Sequence, residues 1–267
     1  MLELNKIYCE NCLDTMSRMP DNFIDLTITS PPYDNLRNYN SKIDWCDLIW
    51  KQVIFQLFRV TKQGGVVVWV VNDSTIKGSE TGTSFKQALY FMECGFNLHD
   101  TMIYAKNSYV PKNHNRYEQC FEYMFVFSKG SPNTFNPFKT KCLTAGTKRN
   151  RSNEKQYEKN YCMKKGSITT VNQNKIISNI WTYNVGMNDK TTHNAPFPEQ
   201  LANDHIISWS NENDLIYDPF MGSGTAAKMA NLLKRNWVGS EISKEYCDIA
   251  EKRIKRVTSR GGFRLIN

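Results

Sequence analysis

The sequence predicts an α/β protein with a mostly parallel sheet, and three observations support this prediction. Short apolar runs alternate with amphipathic helical patterns along most of the chain. The run at residues 66–71 is continuously apolar, which is typical of a central strand buried on both faces. Two other apolar runs stop abruptly at turns, one at Ser30 and one at Asp218. Because open α/β sheets bind ligands at the carboxyl ends of their strands, both turns are candidate functional sites.

The individual elements alternate between strand and helix in this way. Leu13, Met16 and Met19 recur at helical spacing, and Gly95 ends a later helical pattern. The first half predicts strands at residues 6–9, 26–29, 66–71, 100–105 and 121–127, with helices through 13–19, 45–58 and 84–94. The second half predicts strands at 180–181, 215–217 and 237–240, with helices at 199–209, 226–234 and 244–256.

Residues 128–179 interrupt this alternation with a stretch rich in Lys, Asn, Thr, Gly and Ser. Nine basic side chains lie between residues 138 and 165, against two acidic ones. We therefore expect an inserted basic region at 131–179, within a catalytic and cofactor-binding domain formed by 1–130 and 180–267. Taken alone, such a region is more often a solvated loop. As a nucleic-acid surface it would neutralise phosphates, and its candidate DNA-binding residues are Lys139, Lys141, Lys148, Arg149 and Arg151.

Composition narrows the class of protein. A chain of 267 residues with 40% hydrophobic residues can bury a sizeable core, and a net charge of +8 suits an anionic partner. The eight cysteines are scattered, which suggests a reducing environment. Only Cys9 and Cys12 form a C-x-x-C pair, and no spaced histidines accompany it, so we predict no metal site. The N-terminus lacks the apolar core of a signal peptide, which predicts a cytoplasmic protein.

The second turn has the pattern of a nucleotide-binding site. A short strand leads into a glycine turn at residues 218–225, a helix follows, and the next strand ends at Glu241. The glycines let a ligand approach the backbone, and Glu241 can accept both hydroxyls of a ribose. The G-x-G-x-x-G of nicotinamide oxidoreductases is absent, and Asp218 would repel a pyrophosphate but attract an ammonium group. S-adenosylmethionine fits these requirements, whereas the structural alternative is a turn that only packs helix against strand.

The first turn is Ser30-Pro31-Pro32-Tyr33. Two successive prolines lack backbone donors, so the strand that precedes them cannot continue the sheet. The turn presents a hydroxyl, carbonyl groups and an aromatic ring at the sheet edge. Taken alone, it could also be an edge turn with a packed tyrosine.

Taken together, the two turns resemble motifs of the amino-group DNA methyltransferases. Their order resembles the permuted β class, in which S-P-P-Y precedes the target-recognition region and D-P-F-x-G-S-G-T comes last. The resemblance covers nearly the whole chain. It implies a permuted Rossmann-like, S-adenosylmethionine-dependent methyltransferase fold with an inserted target-recognition region. In such a fold the strand at 6–9 pairs beside that at 237–240, and the strands before Ser30 and Asp218 are neighbours.

The resemblance also assigns the cofactor site. The stretch at residues 10–13, E-N-C-L, is similar to a G-D-C-L opening that lines the adenine, with Glu in place of Gly and Asn in place of Asp. Residues 192–198 resemble the segment that closes over the methionine end of the cofactor, and residues 116–129 resemble the strand beside the target-base pocket. The implied cofactor-binding residues are Asn11, Cys12, Pro196, Phe197, Asp218, Pro219, Phe220, Gly222, Ser223, Gly224, Thr225 and Glu241.

The implied catalytic residues are Ser30, Pro31, Pro32 and Tyr33. The lone pair of an exocyclic amine is delocalised into its ring, which makes the nitrogen a poor nucleophile. If Ser30 Oγ and a proline carbonyl accept its two N–H bonds, the lone pair can point at the sulfonium methyl. Tyr33 would stack on a base flipped from the duplex. Within the family, serine at the first position is associated with cytosine N4 and aspartate or asparagine with adenine N6, so we expect cytosine N4, with adenine N6 as the alternative.

Other functions stay open at this point. A non-catalytic nucleic-acid-binding protein with a degenerate cofactor fold is disfavoured because both motifs are intact. Methylation of RNA or protein is compatible with S-P-P-Y, although the basic insertion favours nucleic acid and its few aromatic residues favour DNA. We expect double-stranded DNA as partner, in a restriction-modification or phage or host DNA-protection role. A companion restriction endonuclease and a dimer are both compatible with this expectation.

Overall fold

The computed structural model describes residues 2–32, 46–109, 111, 115–150, 168–184 and 197–258. The chain divides into two compact units. The larger unit combines Met1–Asn136 with Asn179–Asn267, and the smaller unit is Pro137–Ser178. The larger unit is thus assembled from the two stretches of chain that flank the smaller one.

Helices and strands alternate along most of the larger unit, and the short strands between residues 139 and 176 belong to the smaller unit. The helices are α1 (Cys12–Ser17), α2 (Asp47–Val60), α3 (Thr83–Glu93), α4 (Glu199–Trp209), α5 (Thr225–Leu232) and α6 (Lys244–Thr258). The strands are β1 (Lys6–Tyr8), β2 (Ile24–Thr29), β3 (Thr61–Val71), β4 (Thr75–Ile76), β5 (Ser79–Glu80), β6 (Asn97–Lys106), β7 (Phe121–Ser128), β8 (Lys139–Lys141), β9 (Lys148–Asn150), β10 (Ile168–Thr170), β11 (Asn174–Ile176), β12 (Ile180–Tyr183), β13 (Leu215–Asp218) and β14 (Asn236–Ser240).

The central sheet has the strand order β1-β14-β13-β2-β3-β7-β6-β12. Its neighbours run parallel except at β7, which is antiparallel to both β3 and β6. The predicted mostly parallel α/β sheet is therefore confirmed. The reversal at β7 was not predicted. A parallel strand would need a crossover, usually helical, before it, and the described residues between β6 and β7 contain no helix.

The two ends of the sequence meet in this sheet, as predicted. Strand β1 pairs in parallel with β14, with Lys6 opposite Val238. Strand β13 pairs in parallel with β2, with Ile216 opposite Leu26. The carboxyl ends of β2 and β13 are therefore adjacent, and the two candidate turns leave the sheet at the same edge.

Each face of the sheet is covered by a layer of helices. Alternate residues of β3 point to opposite faces, which explains why its run is apolar throughout. Helices α1, α2 and α3 cover one face and pack residues such as Trp50, Leu57 and Phe91 against it. Helices α4, α5 and α6 cover the other with residues such as Ile206 and Ala250. The fold is a three-layer αβα sandwich.

One boundary differs from the prediction. The predicted strand covered residues 66–71, but β3 begins earlier, at Thr61, and runs through Gly64 and Gly65. The pairing of β2 with β3 shifts register between Ile24 and Leu26, opposite this point. Gly64 has φ +79°, a conformation that glycine adopts without steric cost. The glycines therefore form an irregularity within the strand.

The described residues of the smaller unit include two short antiparallel ribbons. Strand β8 pairs with β11, and β9 pairs with β10. Each strand has three residues. Strands this short leave no sustained alternation in the sequence, which is why the sequence predicted no elements here.

Among the ranges that the structure describes, none of the helices is long and apolar enough to cross a membrane.

Candidate active site

The S-P-P turn begins where β2 ends. Ser30 is half-buried, Pro31 is buried and Pro32 is half-buried. Tyr33, the last predicted catalytic residue, lies outside the described residues. Because β13 is the parallel neighbour of β2, the turn lies next to Asp218 at the end of β13.

A buried hydrogen bond joins the two strands at this edge. Thr29 Oγ1 donates to Asp218 Oδ1 at 2.6 Å. Thr29 is fully buried, and Asp218 is 3% exposed. Sequence reasoning missed Thr29, because the two residues are 189 positions apart and nothing in either motif pairs them.

The environment of the Asp218 carboxyl opposes its ionisation. Burial raises the pKa of Asp218 to about 7, since a charge is poorly solvated there. Hydrogen bonds from Thr29 Oγ1 and from the Phe220 backbone N–H, at 3.0 Å, favour the charged form, whereas nearby Glu241 opposes it. The charged form of Asp218 is therefore stabilised by these two hydrogen bonds.

Glu241 follows β14 and is fixed by backbone donors. Its Oε2 accepts from Gly222 N at 2.8 Å, and its Oε1 accepts from Ser243 N at 2.9 Å. Burial raises the pKa of Glu241, and these backbone bonds act in the opposite direction. Each carboxylate oxygen can accept more than one hydrogen bond. Glu241 is therefore oriented by the glycine turn and keeps acceptor capacity for hydroxyl groups.

The glycine turn needs its glycines for conformation and for space. Gly222 has φ +51° and Gly224 has φ +81°, both in the left-handed region. A Cβ at Gly224 would lie 2.8 Å from Ala250 Cβ, on α6. Gly224 also occupies the N-cap position of α5. The turn therefore permits α6 to pack closely against the start of α5.

Arg253 of α6 is a second residue that sequence reasoning missed. Its Nη1 donates to the carbonyl of Ser223 at 2.8 Å and also bonds Ser223 Oγ, and it lies 3.4 Å from Thr225 Oγ1. Its Nη2 donates to Glu199 Oε1 at 2.8 Å. The side chain is buried, between positions 250 and 254 of the apolar face of α6. A charge in the middle of an apolar stripe was the signal that could have found it.

Arg253 therefore fixes the glycine turn from the side that packs against α6. Glu199 begins α4 and also bonds Lys228 of α5. The network joins the starts of α4 and α5 to α6. The hydroxyls of Ser223 and Thr225, two of the predicted cofactor-binding residues, contact Arg253.

Asn11 and Cys12 lie at the same sheet edge. Asn11 Oδ1 accepts from Leu13 N at 2.9 Å and so caps α1. Cys12 is buried, and burial raises the pKa of its thiol to about 12, with Glu241 contributing. The Glu241 N–H donates to the Tyr8 carbonyl at 3.0 Å, which joins the end of β1 to the end of β14.

The remaining predicted cofactor residues line the turn or lie near it. Pro219 is buried, and Phe220 is half-buried with its ring edge-on to Trp69 at 6.2 Å. Phe197 is half-buried against the core that includes α4. Pro196 lies outside the described residues.

The predicted DNA-binding residues belong to the smaller unit. Lys139, Lys141, Lys148 and Arg149 are exposed on its ribbons. Arg151 lies outside the described residues. A groove of about 900 Å³ in this unit is lined in part by Lys139, Arg149 and Lys175, with the amide side chains of residues 172–174 beside them.

The chemistry of the larger unit fits S-adenosylmethionine. A buried carboxyl at Asp218 suits an ammonium group, Glu241 suits ribose hydroxyls, and the glycine turn admits a ligand close to the backbone. A three-layer sandwich that carries these groups at one sheet edge is the arrangement expected of an S-adenosylmethionine-dependent methyltransferase.

Comparison with known proteins specifies the family. The family model of the N6/N4 DNA methylases matches residues 24–252. The orphan methyltransferase M.BamHII of Bacillus amyloliquefaciens is 52% identical over 245 residues, which cover 87% of this chain and 89% of that protein. The Type II methyltransferase M.BglII of Bacillus subtilis is 29% identical over 258 residues, covering 92% of this chain and 68% of that protein.

Solved structures show the same fold. The PvuII DNA methyltransferase, described as cytosine-N4-specific, aligns with a TM-score of 0.70 at 19% identity, covering 95% of this chain and 90% of that one. M1.HpyAVI in complex with S-adenosylmethionine aligns with a TM-score of 0.58 at 23% identity, covering 93% and 98%. The chain belongs to the N6/N4 DNA methylase family and is a DNA methyltransferase that uses S-adenosylmethionine. The predicted family, fold and cofactor are confirmed.

Proposed function

We propose that the chain transfers a methyl group from S-adenosylmethionine to the exocyclic N4 of a cytosine flipped out of double-stranded DNA. The observation that carries the proposal is the placement of the S-P-P turn beside Asp218, at adjacent strand ends of one sheet. An acceptor for an amine and an anion for the cofactor's ammonium then lie at the same edge.

In this mechanism the protein orients the amine and forms no covalent bond to it. Ser30 Oγ and a proline carbonyl accept the two N–H bonds, which draws the nitrogen toward tetrahedral geometry. Tyr33 stacks on the flipped base. The rate enhancement comes from positioning and from oriented dipoles. The cofactor supplies an activated methyl group on a sulfonium.

The cofactor is held by residues from four strand ends or turns. Asp218 attracts the ammonium group, and Glu241 accepts the ribose hydroxyls. Asn11 and Cys12 line the adenine, and Phe197, together with Pro196, covers the methionine end. Residues 219–225 supply the backbone of the turn against which the ligand lies.

The smaller unit contacts DNA in this proposal. Its exposed Lys139, Lys141, Lys148 and Arg149 neutralise phosphates, and Arg151 continues the series. The groove lined by amide side chains at residues 172–174 offers donors and acceptors for base edges.

The choice of cytosine rests on Ser30 at the first position of the motif, and the cytosine-N4-specific PvuII enzyme shares the fold. Adenine N6 is the alternative, since a carboxamide, a carboxylate or a hydroxyl can each accept an amine hydrogen bond. We further propose a DNA-protection role. The relatives include Type II methyltransferases and an orphan methyltransferase. The proposed role therefore does not require a companion endonuclease.

The test is to identify the methylated nucleoside. Unmethylated DNA is incubated with isotopically labelled S-adenosylmethionine, digested to nucleosides and separated by mass spectrometry. We expect label in N4-methylcytosine. Label in N6-methyladenine would overturn the choice of base and leave the mechanism intact. Unlabelled DNA, together with label in RNA from a parallel incubation, would overturn the choice of DNA as substrate.

A further inference from the structure

Thr29 occupies an unusual position for a buried hydroxyl. It is the last residue of β2, immediately before Ser30, and its side chain bonds the last residue of β13. Both partners are buried, at 0% and 3% exposure, and the Oγ1 to Oδ1 distance is 2.6 Å. A short hydrogen bond from a hydroxyl to a carboxyl in a dry site favours the charged carboxylate.

Among the described residues, no other group near Asp218 favours its charged form as strongly as the Thr29 hydroxyl does. The second donor is the Phe220 N–H. Among the described residues, the titratable groups that interact with Asp218 are Glu241 after β14 and Tyr217 on the same strand, and neither is a cation. The guanidinium of Arg253, on α6, is directed to Ser223 and Glu199.

We propose that Thr29 is a positioning residue for the cofactor, whose hydroxyl holds the Asp218 carboxylate in the charged form that binds the ammonium group. The inference rests on the proposed role of Asp218 in cofactor binding. It follows that cofactor affinity depends on pH through the ionisation of Asp218, and that the Thr29 hydroxyl determines the pH range over which the affinity changes. Below the pKa of Asp218 the carboxyl is neutral, so affinity falls as the pH falls.

The same strand provides a matched control. Thr27 lies two residues earlier on β2 and is also fully buried, but its hydroxyl has no hydrogen-bond partner among the described residues. Thr27→Val and Thr29→Val remove the same group from equivalent depths of one strand. Only the second removes a donor to Asp218.

The experiment is calorimetric titration of S-adenosylmethionine into the full chain from about pH 5 to pH 9, in wild type, Thr29→Val, Thr29→Ser and Thr27→Val. For Thr29→Val we expect the acid limb of the affinity profile to move up by about one pH unit, with about fivefold weaker binding at pH 7. Thr29→Ser keeps the hydroxyl and should keep the wild-type limb, and Thr27→Val should superimpose on wild type. At alkaline pH the cofactor's own amine loses its proton, at about pH 8, so this part of the affinity profile should be the same in all four proteins.

A fifth protein separates this inference from the proposed function. Asp218→Asn should lose the acid limb and bind weakly throughout. If Asp218→Asn binds like wild type at every pH, the cofactor role of Asp218 fails. If Asp218→Asn behaves as expected but Thr29→Val follows the wild-type profile, or is weaker by the same factor at every pH, the role of Thr29 alone is overturned. Should Thr29→Val not fold, a shifted limb in Thr29→Ser would overturn the role as well.

Discussion

The sheet edge of the larger unit and the ribbons of the smaller unit are built in opposite ways. At the sheet edge, Asp218 and Glu241 are fixed by hydrogen bonds from backbone and buried side chains. On the ribbons, Lys148 and Arg149 are exposed on strands of three residues. A site for chemistry needs groups held in fixed geometry, whereas a phosphate contact needs mainly charge and reach. In the proposed function the two regions therefore contribute separable terms, one to turnover and one to DNA affinity.

The largest effect should come from Ser30→Ala. The variant loses one acceptor for the target amine, so we expect kcat to fall on the order of 100-fold, as for removal of one oriented polar group from an active site. Calorimetry should give wild-type affinity for S-adenosylmethionine, because Ser30 does not contact the cofactor's charged groups in our proposal. A variant with near-normal kcat would remove Ser30 from the mechanism.

The next effect should come from Arg253→Met, which keeps the apolar stem and removes the guanidinium. The buried oxygens of Ser223 lose a donor, so we expect the free energy of unfolding to decrease by about 1–3 kcal/mol. Affinity for the cofactor should fall too, since the glycine turn loses its support. Lys252→Met, at an exposed position on the same helix, is the control and should change stability by less than about 0.5 kcal/mol.

Thermal unfolding of both variants checks this prediction. Equal melting temperatures for Arg253→Met and wild type would show that the Arg253 network does not stabilise the turn. A lower melting temperature with unchanged cofactor affinity would restrict Arg253 to stability.

The smallest effect should come from replacing Lys148, Arg149 and Arg151 by Gln. We expect DNA affinity to fall about tenfold, with the slope of log affinity against log salt reduced by about 0.9 for each phosphate that the variant no longer neutralises. Replacing the exposed Lys244, Lys252 and Lys255 of α6 removes the same charge from the larger unit and should leave the slope nearly unchanged. Identical salt slopes in the two triple variants would show that the ribbons are an ordinary solvated surface and do not contact DNA phosphates.

Much of the larger unit could be predicted from the sequence because its elements carry strong local signals. The continuous apolar run within β3 and the turns after β2 and β13 each reveal a strand and its end. The prediction that β2 and β13 are adjacent strands followed from the family resemblance. Local patterns, by contrast, do not report strand direction, so the antiparallel β7 was not predicted.

The contacts that complete the site could not be predicted for a different reason. Thr29 and Asp218 meet only because strands far apart in sequence become neighbours, and a threonine in a strand is ordinarily a good β-former without further meaning. The position of Arg253 among apolar residues of α6 could have marked it as buried, but its partners Ser223 and Glu199 lie on other elements and could not be predicted. Such contacts depend on tertiary pairing, which the sequence pattern does not contain.

The most direct test of the separation between the two regions is a single-turnover measurement of methyl transfer from the preformed complex of enzyme and S-adenosylmethionine. Wild type, Ser30→Ala and the Lys148, Arg149 and Arg151 triple variant are each mixed with DNA at low and at saturating concentration. We predict that the triple variant is slow at low DNA concentration and reaches the wild-type rate at saturation, whereas Ser30→Ala stays slow at both. A triple variant that remains slow at saturation, or a Ser30→Ala variant that reaches the wild-type rate, would contradict the account.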